Sequence, residues 1–473
     1  MYKKIVRTGK VLENLEQALK RCGVEDGMTL SFHHHLRNGD QVVNMVLEAA
    51  ARLGLRDLRV AASALFQVHL PLADHIRKGV VSRIDAGGVS GGLGEALLDT
   101  DLEPMLFRTH GGRARAINSG ELAIDVAFVA ASAVDRLGTL SGLEGPSAFG
   151  SIGYAIPDSL HARHVVAVTD HLTDSPLRHA SITHDYVDFI VPVDRIGDPE
   201  GIESGTTRLT RDPVALCIAR RACTLIEHSG LLGDGMNLQT GAGGASLAAA
   251  HFLRDVMRRR GLTGGFLSGG TTKYLVDMLE EGLFQTMYDV QCFDRSAVRS
   301  LGRNPNHVEM SASQYADPRQ KSCTVNALDI VLLGAAEIDV NFNVNVHTNS
   351  NGVIIAGSGG HSDTAQGAKL AVIVAPLVRG RLPIVVDAVT TRSTPGSTID
   401  ALVTEFGIAV NPANTELRDR LRQAGVDILD IEELRALALS LSGKPEPLEQ
   451  GNRLVARVEY RDGTIIDEIR APA

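Results

Sequence analysis

The chain of 473 residues repeats several short patterns at a displacement of about 205 residues. Three patterns recur in the same order: Asp-Gly-Met at 26–28 and 234–236, Leu-x-Asp-x4-Gly from Leu72 and Leu275, and an aspartate pair from Asp125 and Asp329. A long chain produces one such match by chance, but three in the same order indicate that a domain has been duplicated. The sequence therefore predicts two similar domains.

Short apolar runs and longer amphipathic segments alternate along the chain. The runs at 126–130 and 330–333 are bounded by polar residues, as strands buried on both faces of a parallel sheet are. Segments 40–53 and 245–259 have helical spacing. This alternation predicts an α/β fold with a layered parallel sheet in each half, where ligands bind at the carboxyl ends of the strands.

The length of the chain fits two domains better than one. We place the first at residues 1–205 and the second at 206–473, with the seam at 206–213. The second includes a small C-terminal element after Gly443, with a predicted hairpin around 461–463.

Composition limits the class of protein. The net charge of −9 does not favour a nucleic-acid partner, and no run of 18 apolar residues predicts a membrane span. Charged residues interrupt the first 20 positions, so no secretory signal is predicted and we expect a cytoplasmic protein. The five cysteines are scattered and lack CxxC spacing, which predicts neither a disulfide framework nor a zinc knuckle.

Two glycine-rich loops are candidate ligand-binding segments. The first, at 241–244, follows a predicted strand and precedes a helix, so its backbone N–H groups suit an anion or a developing oxyanion. The second, at 357–360, follows a segment with asparagines at every second position, 341–345. These amides would share one face of a strand, either in a binding site or in a network that holds the backbone. A tight α/β connection is the structural alternative for the loops.

Several longer segments resemble one known family. They are FHHHLRNGD at 32–40, QTGAGGASLA at 239–248, EIDVNFNVNV at 337–346, GSGGHSDTA at 357–365 and IVAPLVRGRLP at 373–383. Together they resemble the alpha chains of citrate lyase. The resemblance implies two CoA-transferase-like domains and a transferase that exchanges acetyl for citryl on an acyl-carrier thiol.

The resemblance also implies partners and substrates. The chain would work with a beta lyase subunit and a gamma acyl-carrier subunit, as a homo-oligomer or complex. Its substrates would be citrate and a CoA-type thioester, with acetyl-CoA as a possible surrogate for the acetyl carrier, and acetate would be released. The resemblance implies no metal and no tightly bound cofactor.

Related CoA-transferases attack the thioester with a glutamate in an E-x-G motif. The corresponding stretch here, 289–296, contains no glutamate. This absence fits the citrate lyase alpha chains, and the resemblance to them implies that a citrate carboxylate attacks the acetyl thioester directly, giving a mixed anhydride in a ternary complex.

The resemblance and residue chemistry together suggest site residues. Glu337 and Asp294 are candidate catalytic residues that orient the reacting centre, with turn capping as the alternative. The predicted thioester- and CoA-binding residues are Gly241, Gly243, Gly244, Asn343, Asn345, Gly357, Gly359, Gly360 and His361. Because citrate is a multiple anion, His34, Arg37 and Arg113 are its predicted ligands. We favour neither a zinc site at 33–35 nor a nucleophilic Cys292.

Three alternatives remain open from the sequence. The chain is a CoA-transferase for citramalate or another hydroxy-dicarboxylate, a non-catalytic scaffold of a lyase complex, or a sugar-phosphate isomerase on a related fold. The carboxylate ligands would be similar for citrate and citramalate, so sequence does not separate these two substrates.

Overall fold

The structure, a computed structural model, describes residues 9–203, 210–241 and 243–473. The predicted boundary at 205 and residues 206–209 of the predicted seam lie outside the described residues. Within the described ranges, every helix is too short or too polar to cross a lipid bilayer.

Strands and helices alternate in the first half, as predicted. Its strands are β1 (Thr29–Phe32), β2 (Leu58–Ala62), β3 (Val81–Ala86), β4 (Met105–Phe107), β5 (Val126–Ala131), β6 (Ala133–Asp135), β7 (Leu140–Ser141), β8 (His164–Thr169), β9 (Leu172–Thr173) and β10 (Phe189–Pro192). Its helices are α1 (Leu15–Arg21), α2 (Val42–Arg52), α3 (Leu72–Arg77), α4 (Leu93–Leu98), α5 (His110–Ser119) and α6 (Ala155–His161).

The second half continues the alternation. Its strands are β11 (Leu238–Thr240), β12 (Gly264–Thr271), β13 (Phe284–Cys292), β14 (His307–Glu309), β15 (Ile330–Leu333), β16 (Glu337–Asp339), β17 (Val344–Asn345), β18 (Leu370–Val374), β19 (Val378–Arg379), β20 (Leu382–Pro383), β21 (Val385–Val386), β22 (Ala401–Val403), β23 (Ile408–Val410), β24 (Ile428–Leu429), β25 (Gln450–Glu459) and β26 (Ile465–Pro472). Its helices are α7 (Pro213–His228), α8 (Gly244–Arg260), α9 (Lys273–Glu280), α10 (Arg295–Leu301), α11 (Ala312–Ala316), α12 (His361–Gly367), α13 (Thr415–Gln423) and α14 (Ile431–Ser442).

Two large sheets have the same strand order. The first runs β10-β8-β5-β1-β2-β3-β4 and then β25-β26, and the second runs β22-β18-β15-β11-β12-β13-β14 with β23 and β24 beyond β22. The small sheets β7-β6-β9 and β17-β16-β21 correspond in the same way. The shared order, with parallel pairing throughout the common strands, confirms the predicted α/β fold and its duplication.

The repeated aspartates hold equivalent backbone groups. Asp125 Oδ2 accepts a hydrogen bond from Thr29 N at 2.8 Å, and Asp329 Oδ2 accepts one from Asn237 N at 2.8 Å. Each bond ties the start of one central strand to the start of its neighbour, β5 to β1 and β15 to β11. The repeated aspartates Asp125 and Asp329 are therefore residues that set the register of neighbouring strands.

The C-terminal element differs from its predicted place in the second half. The hairpin β25–β26 forms as expected, but β25 pairs in parallel with β4, so the end of the chain extends the first sheet. Glu459 at the end of β25 accepts from Arg108 at 2.5 Å and Arg115 at 3.1 Å. A buried carboxylate between two arginines explains why the hairpin binds here.

The segment 341–346 is not a continuous strand. Phe342 has a left-handed φ of 63°, and only Val344 and Asn345 pair as β17. The prediction that the asparagines line one face of a strand was therefore wrong, because a turn interrupts the alternation.

Helix α5 of the first half is capped by a carboxylate from the second. Asp363 accepts from Thr109 Oγ1 at 2.8 Å and from Gly111 N at 2.9 Å. Burial raises the pKa of Asp363 to about 6, against the opposing effect of Arg461. Ionising this carboxyl therefore costs free energy in the folded chain.

We predict a pH-dependent difference between the native chain and Asp363→Asn, which cannot titrate. The folded pKa of about 6 exceeds the ordinary 3.8, so the native carboxyl stabilises the fold most at low pH and this contribution is lost as pH rises. Relative to the variant, native stability falls by up to about 3 kcal/mol between about pH 4 and about pH 6. Urea unfolding of both proteins across this pH range measures the difference in their free energies of unfolding. A difference that does not change with pH would contradict the prediction.

Candidate functional site

A cavity of about 890 Å³ lies between the two halves of the chain. Strand ends and loops of both halves line it, at the carboxyl ends of the central strands β1 and β11. The predicted site residues that it brings together are His34, Arg37, Gly241, Gly243, Gly357, Gly359, Gly360 and His361. Its position agrees with the place where ligands bind on parallel sheets.

Arg37 is a buried cation without an anionic partner among the described residues. Its side chain lies against Phe293, with Cζ 4.3 Å from the ring centroid, and more distantly against Phe66. The residue is only 9% exposed, and its Nη1 has no hydrogen-bond partner. Burial lowers the pKa of Arg37 to about 10, so the side chain is still charged at neutral pH. Such a charge is costly unless a ligand supplies the anion.

Rings from three segments pack beside Arg37. The His34 ring centroid lies 5.1 Å from that of Tyr154 and 5.9 Å from that of His110. The His110 and Tyr154 centroids are 4.3 Å apart. Burial, with a smaller effect of Arg113, lowers the pKa of His110 to about 3, so this ring is neutral. The wall next to Arg37 is therefore rigid and uncharged.

Several other polar atoms of cavity residues have no described partner. They are Thr240 Oγ1, Gln239 Oε1, Ser358 Oγ and His110 Nδ1. Buried polar groups are nearly always hydrogen-bonded, so unpaired ones on residues that line a cavity are candidate contacts for a polar ligand. With Arg37, these atoms describe a site for an anion with further hydrogen-bonding groups.

The second glycine loop approaches the first half backbone to backbone. A Cβ on Gly88 would lie 2.9 Å from Gly357 Cα, and one on Gly360 would lie 2.4 Å from the Tyr315 hydroxyl. Close packing thus accounts for these glycines, while the loop still lines the cavity.

The first glycine loop presents the start of helix α8. Gly241 N–H donates to Leu332 O at 2.7 Å. The prediction that this N–H group binds an oxyanion was therefore wrong. Gly243 is the N-cap of α8 and lines the cavity, without a side-chain cap for the helix. Gly244 is the first helical residue and is not part of the lining. A helix start of this length favours negative charge nearby.

His361 contributes its ring but not a free nitrogen. Its Nε2–H donates to Gly334 O at 3.0 Å, and Nδ1 lies 2.8 Å from Thr394 Oγ1. Burial lowers the pKa of His361 to about 4, so the ring is neutral. Its polar atoms therefore orient the loop at 357–360 instead of facing a ligand.

Arg113 is not at the cavity, which corrects its predicted role as an anion ligand. Its two terminal nitrogens bond both oxygens of Asp158, at 2.8 and 2.6 Å, and Nη2 also donates to Ala61 O. His33 lies 3.1 Å from the same carboxylate. This buried pair holds α5 against α6 and leaves Arg113 no free charge for a ligand.

Both predicted catalytic carboxylates have structural partners. Asp294 caps α10, accepting from Ala297 N at 2.9 Å and from Lys273 N at 2.5 Å. Glu337 accepts from Asn345 Nδ2 at 2.9 Å and from Thr390 N at 2.8 Å. Neither lines the cavity. We therefore revise both to the structural alternative.

The predicted asparagines are also structural. Asn343 donates to Asp339 at 3.0 Å and accepts from Gly396 N at 3.0 Å. Asn345 bonds Glu337 and Thr348. These bonds fold the turn after β16, so the backbone-holding interpretation of the amides replaces the binding one.

The sequence analysis missed several residues of the cavity wall. They are Phe66, His110, Tyr154, Gln239, Thr240, Phe293, Tyr315 and Ser358. Gln239, Thr240 and Ser358 lie inside the quoted segments, so adjacency was a usable signal for them. The tyrosines had none, because they reach the cavity only through the packing of α6 and α11.

Metal-ligand residues do not cluster in the described part of the chain. No group of three or more histidine, cysteine, aspartate or glutamate residues there has the geometry to hold a metal. Cys292 is buried, and burial with the nearby Asp289 raises the pKa of its thiol, which disfavours a thiolate nucleophile.

Known sequences place the chain in a family. The model of the family described as "Citrate lyase, alpha subunit (CitF)" matches residues 8–471. The chain belongs to the citrate lyase alpha subunit family. The citrate lyase alpha chain of Klebsiella pneumoniae is 51% identical over 465 residues, 98% of this chain and 92% of the relative.

Solved structures agree with the family. The alpha subunit of citrate lyase from Streptococcus mutans, in complex with citrate, has a TM-score of 0.97 and 44% identity, covering 100% of this chain and 93% of that one. The malonate decarboxylase alpha subunit of Acinetobacter baumannii has a TM-score of 0.67 at 17% identity, covering 92% and 93%. The second likeness concerns the fold alone.

We predict opposite consequences for two arginine substitutions. Arg37→Met removes an unpaired cation beside a cavity, so the free energy of unfolding should change by less than about 1 kcal/mol. Arg113→Met leaves the buried Asp158 with His33 as its remaining partner and should cost about 3–5 kcal/mol. Denaturant unfolding of the ligand-free proteins measures both. Equal losses in the two variants would show that Arg37 has a structural partner after all.

Proposed function

We propose that this member of the citrate lyase alpha subunit family is a citrate CoA-transferase. It transfers the acyl-carrier thiol from acetyl to citrate, giving citryl carrier and acetate. The observation that carries the proposal is Arg37, a buried cation that no described carboxylate neutralises, at a cavity with further unpaired polar atoms. The citrate bound to the Streptococcus mutans relative supports the same substrate here.

The reaction consists of two substitutions, the first at the acetyl carbonyl carbon and the second at the citryl carbonyl carbon. A citrate carboxylate oxygen attacks the carbonyl carbon of the acetyl thioester, and the C–S bond breaks. The thiolate departs, and the acetyl and citryl groups are then joined as a mixed anhydride. The thiolate then attacks the citryl carbonyl carbon, forming a new C–S bond and releasing acetate. Atoms and charge balance without a metal or a redox partner, and the protein must hold the reactants close and exclude water.

The nucleophile is proposed to be citrate itself. Among the described lining residues the one carboxylate is Glu203, which is exposed at the edge of the cavity. Asp294 and Glu337 are engaged by backbone and amide groups elsewhere. This distribution supports attack by a substrate carboxylate over a covalent glutamyl thioester.

Two segments suit the thioester. Gly243 at the start of α8, with Thr240 beside it, offers donors and a favourable helix dipole for the carbonyl oxygen. The loop at 357–360 is proposed to pack along the pantetheine arm, with the unpaired Ser358 hydroxyl as a contact. Arg37 would hold a citrate carboxylate.

The setting of the enzyme is part of the proposal. We propose that it acts in the cytoplasm with a beta lyase subunit and a gamma acyl-carrier subunit, as an oligomer or complex. The thioester is a substrate, with acetyl-CoA as a surrogate for the carrier, and we propose no tightly bound cofactor. Family membership supports these partners.

The proposal is tested by incubating the purified chain with citrate and acetyl-CoA and measuring acetate and citryl-CoA. Borohydride is added to trap any enzyme-bound thioester. Citrate-dependent acetate release without a trapped adduct is expected. A trapped adduct would overturn direct attack by citrate. Turnover with citramalate and not with citrate would mean that citramalate is the substrate. No turnover even with the acyl carrier supplied would favour a non-catalytic scaffold.

Arg37→Lys tests the carboxylate ligand. A point charge replaces a planar fork that bonds a carboxylate through two nitrogens, so the Kd for citrate should rise about 10-fold or more. Calorimetric titration with citrate measures this. Arg381→Lys, at an exposed arginine away from the cavity, is the matched control and should bind as the native chain does. An unchanged Kd in Arg37→Lys would remove Arg37 from the site.

A further inference from the structure

We propose that the Ser63 hydroxyl fixes the proton of His34 on Nε2, so that a neutral ring donates Nε2–H to the oxygen of the reacting carbonyl. Ser63 is then a positioning residue that acts through His34. The donor role rests on the proposed function, whereas the position of the proton does not.

Both hydrogen bonds of the Ser63 hydroxyl involve the same residue. Its Oγ lies 3.1 Å from His34 N and 2.6 Å from His34 Nδ1. The backbone N–H donates to Oγ, and the hydroxyl hydrogen has no other described acceptor than Nδ1. A neutral imidazole carries one proton, so when Nδ1 accepts, Nε2 bears the hydrogen.

The ring is held so that Nε2 points away from Ser63. His34 lies among the rings of Phe66, Tyr154 and His110, at centroid distances of 5.6, 5.1 and 5.9 Å. Gln291 Nε2, from the second half, donates to His34 O at 2.7 Å and fixes the backbone. His34 lines the cavity, and no described residue bonds its Nε2. The remaining N–H is thus directed at the ligand space.

The ring stays neutral. Burial, then the neighbouring His110, His35, Arg37 and His33, lower the pKa of His34 well below its ordinary 6.5. Each of these effects disfavours a positive ring, and Asp158 is engaged by Arg113 and His33. A neutral ring gives no proton away and donates with the same strength across the neutral pH range.

The direction of the proton decides whether His34 helps or hinders. With the hydrogen on Nε2, the ring stabilises the oxyanion that forms when a carboxylate attacks the thioester. With the hydrogen on Nδ1, a lone pair would face that oxyanion and repel it. His347 provides the contrasting arrangement in the same chain, because its Nε2 accepts from Ser358 N at 3.3 Å.

The position of the proton is measured by NMR of ¹⁵N-histidine-labelled chain without substrates, with His34 assigned through His34→Gln. We expect a proton on Nε2 and none on Nδ1 for His34, and the opposite pattern for His347. The protonation pattern is read from the native chain, and the variant serves only to assign the His34 signals. A proton on Nδ1 of His34 would overturn the proposal.

Ser63→Ala tests the donor role. The ring should populate both tautomers, and kcat should fall about 10- to 100-fold while KM for citrate changes little, because the lost bond acts in the transition state. Ser63→Thr keeps the hydroxyl and should restore both the spectrum and kcat.

Ser31→Ala is the matched control. Ser31 is equally buried on β1, but its hydroxyl has no described partner, so neither the spectrum nor kcat should change. A single tautomer and native kcat in Ser63→Ala would overturn the proposal. Absence of turnover in the native chain would overturn the proposed function and the donor role together. A proton on Nδ1 with normal turnover would overturn the tautomer assignment and the donor role, and would leave the proposed function standing.

Discussion

The contact between two glycine turns sets the distance between the halves of this molecule. Gly357 lies so close to Gly87 and Gly88 that a Cβ on Gly357 would be 2.3 Å from each of Gly87 O and Gly88 Cα. Any side chain there would wedge the halves apart. The size of the cavity and the hydrogen bond from Gln291 to His34 both depend on this spacing.

Within that spacing, the site is a place where the fold leaves polar groups unpaired. Arg37, Thr240 and Ser358 would each be more stable with a partner, and most buried polar groups have one. Away from the cavity, the buried Arg113 has a carboxylate partner in Asp158. The contrast between the paired and the unpaired arginine is what distinguishes a ligand site from a structural network.

Sequence predicted the fold well because the determinants of the fold are local and repeated. Asp125 and Asp329 recur because each holds the same strand start, and the apolar runs became β5 and β15. The site was predicted in part. Arg37 and His34 share a segment whose chemistry suits an anion, and both reach the cavity.

The predicted roles of charged residues were wrong where the residue is engaged by a partner that the local sequence pattern does not show. The carboxylate that engages Arg113 lies at Asp158, and the groups that engage Glu337 are at Asn345 and Thr390. Nothing in the local pattern shows these pairings. The place of the C-terminal hairpin was missed for the same reason, since chain order assigns it to the nearer domain.

That hairpin bears on how the protein is made. Arg108 and Glu459 are separated by 351 positions, yet they meet in one buried cluster. During synthesis the edge strand β4 and the arginines of the first half emerge long before β25 does. Until then β4 is an exposed edge strand of the first sheet, and exposed edge strands can pair wrongly with other chains. Emergence of β25, and not completion of the N-terminal half, is the event that covers the edge of β4.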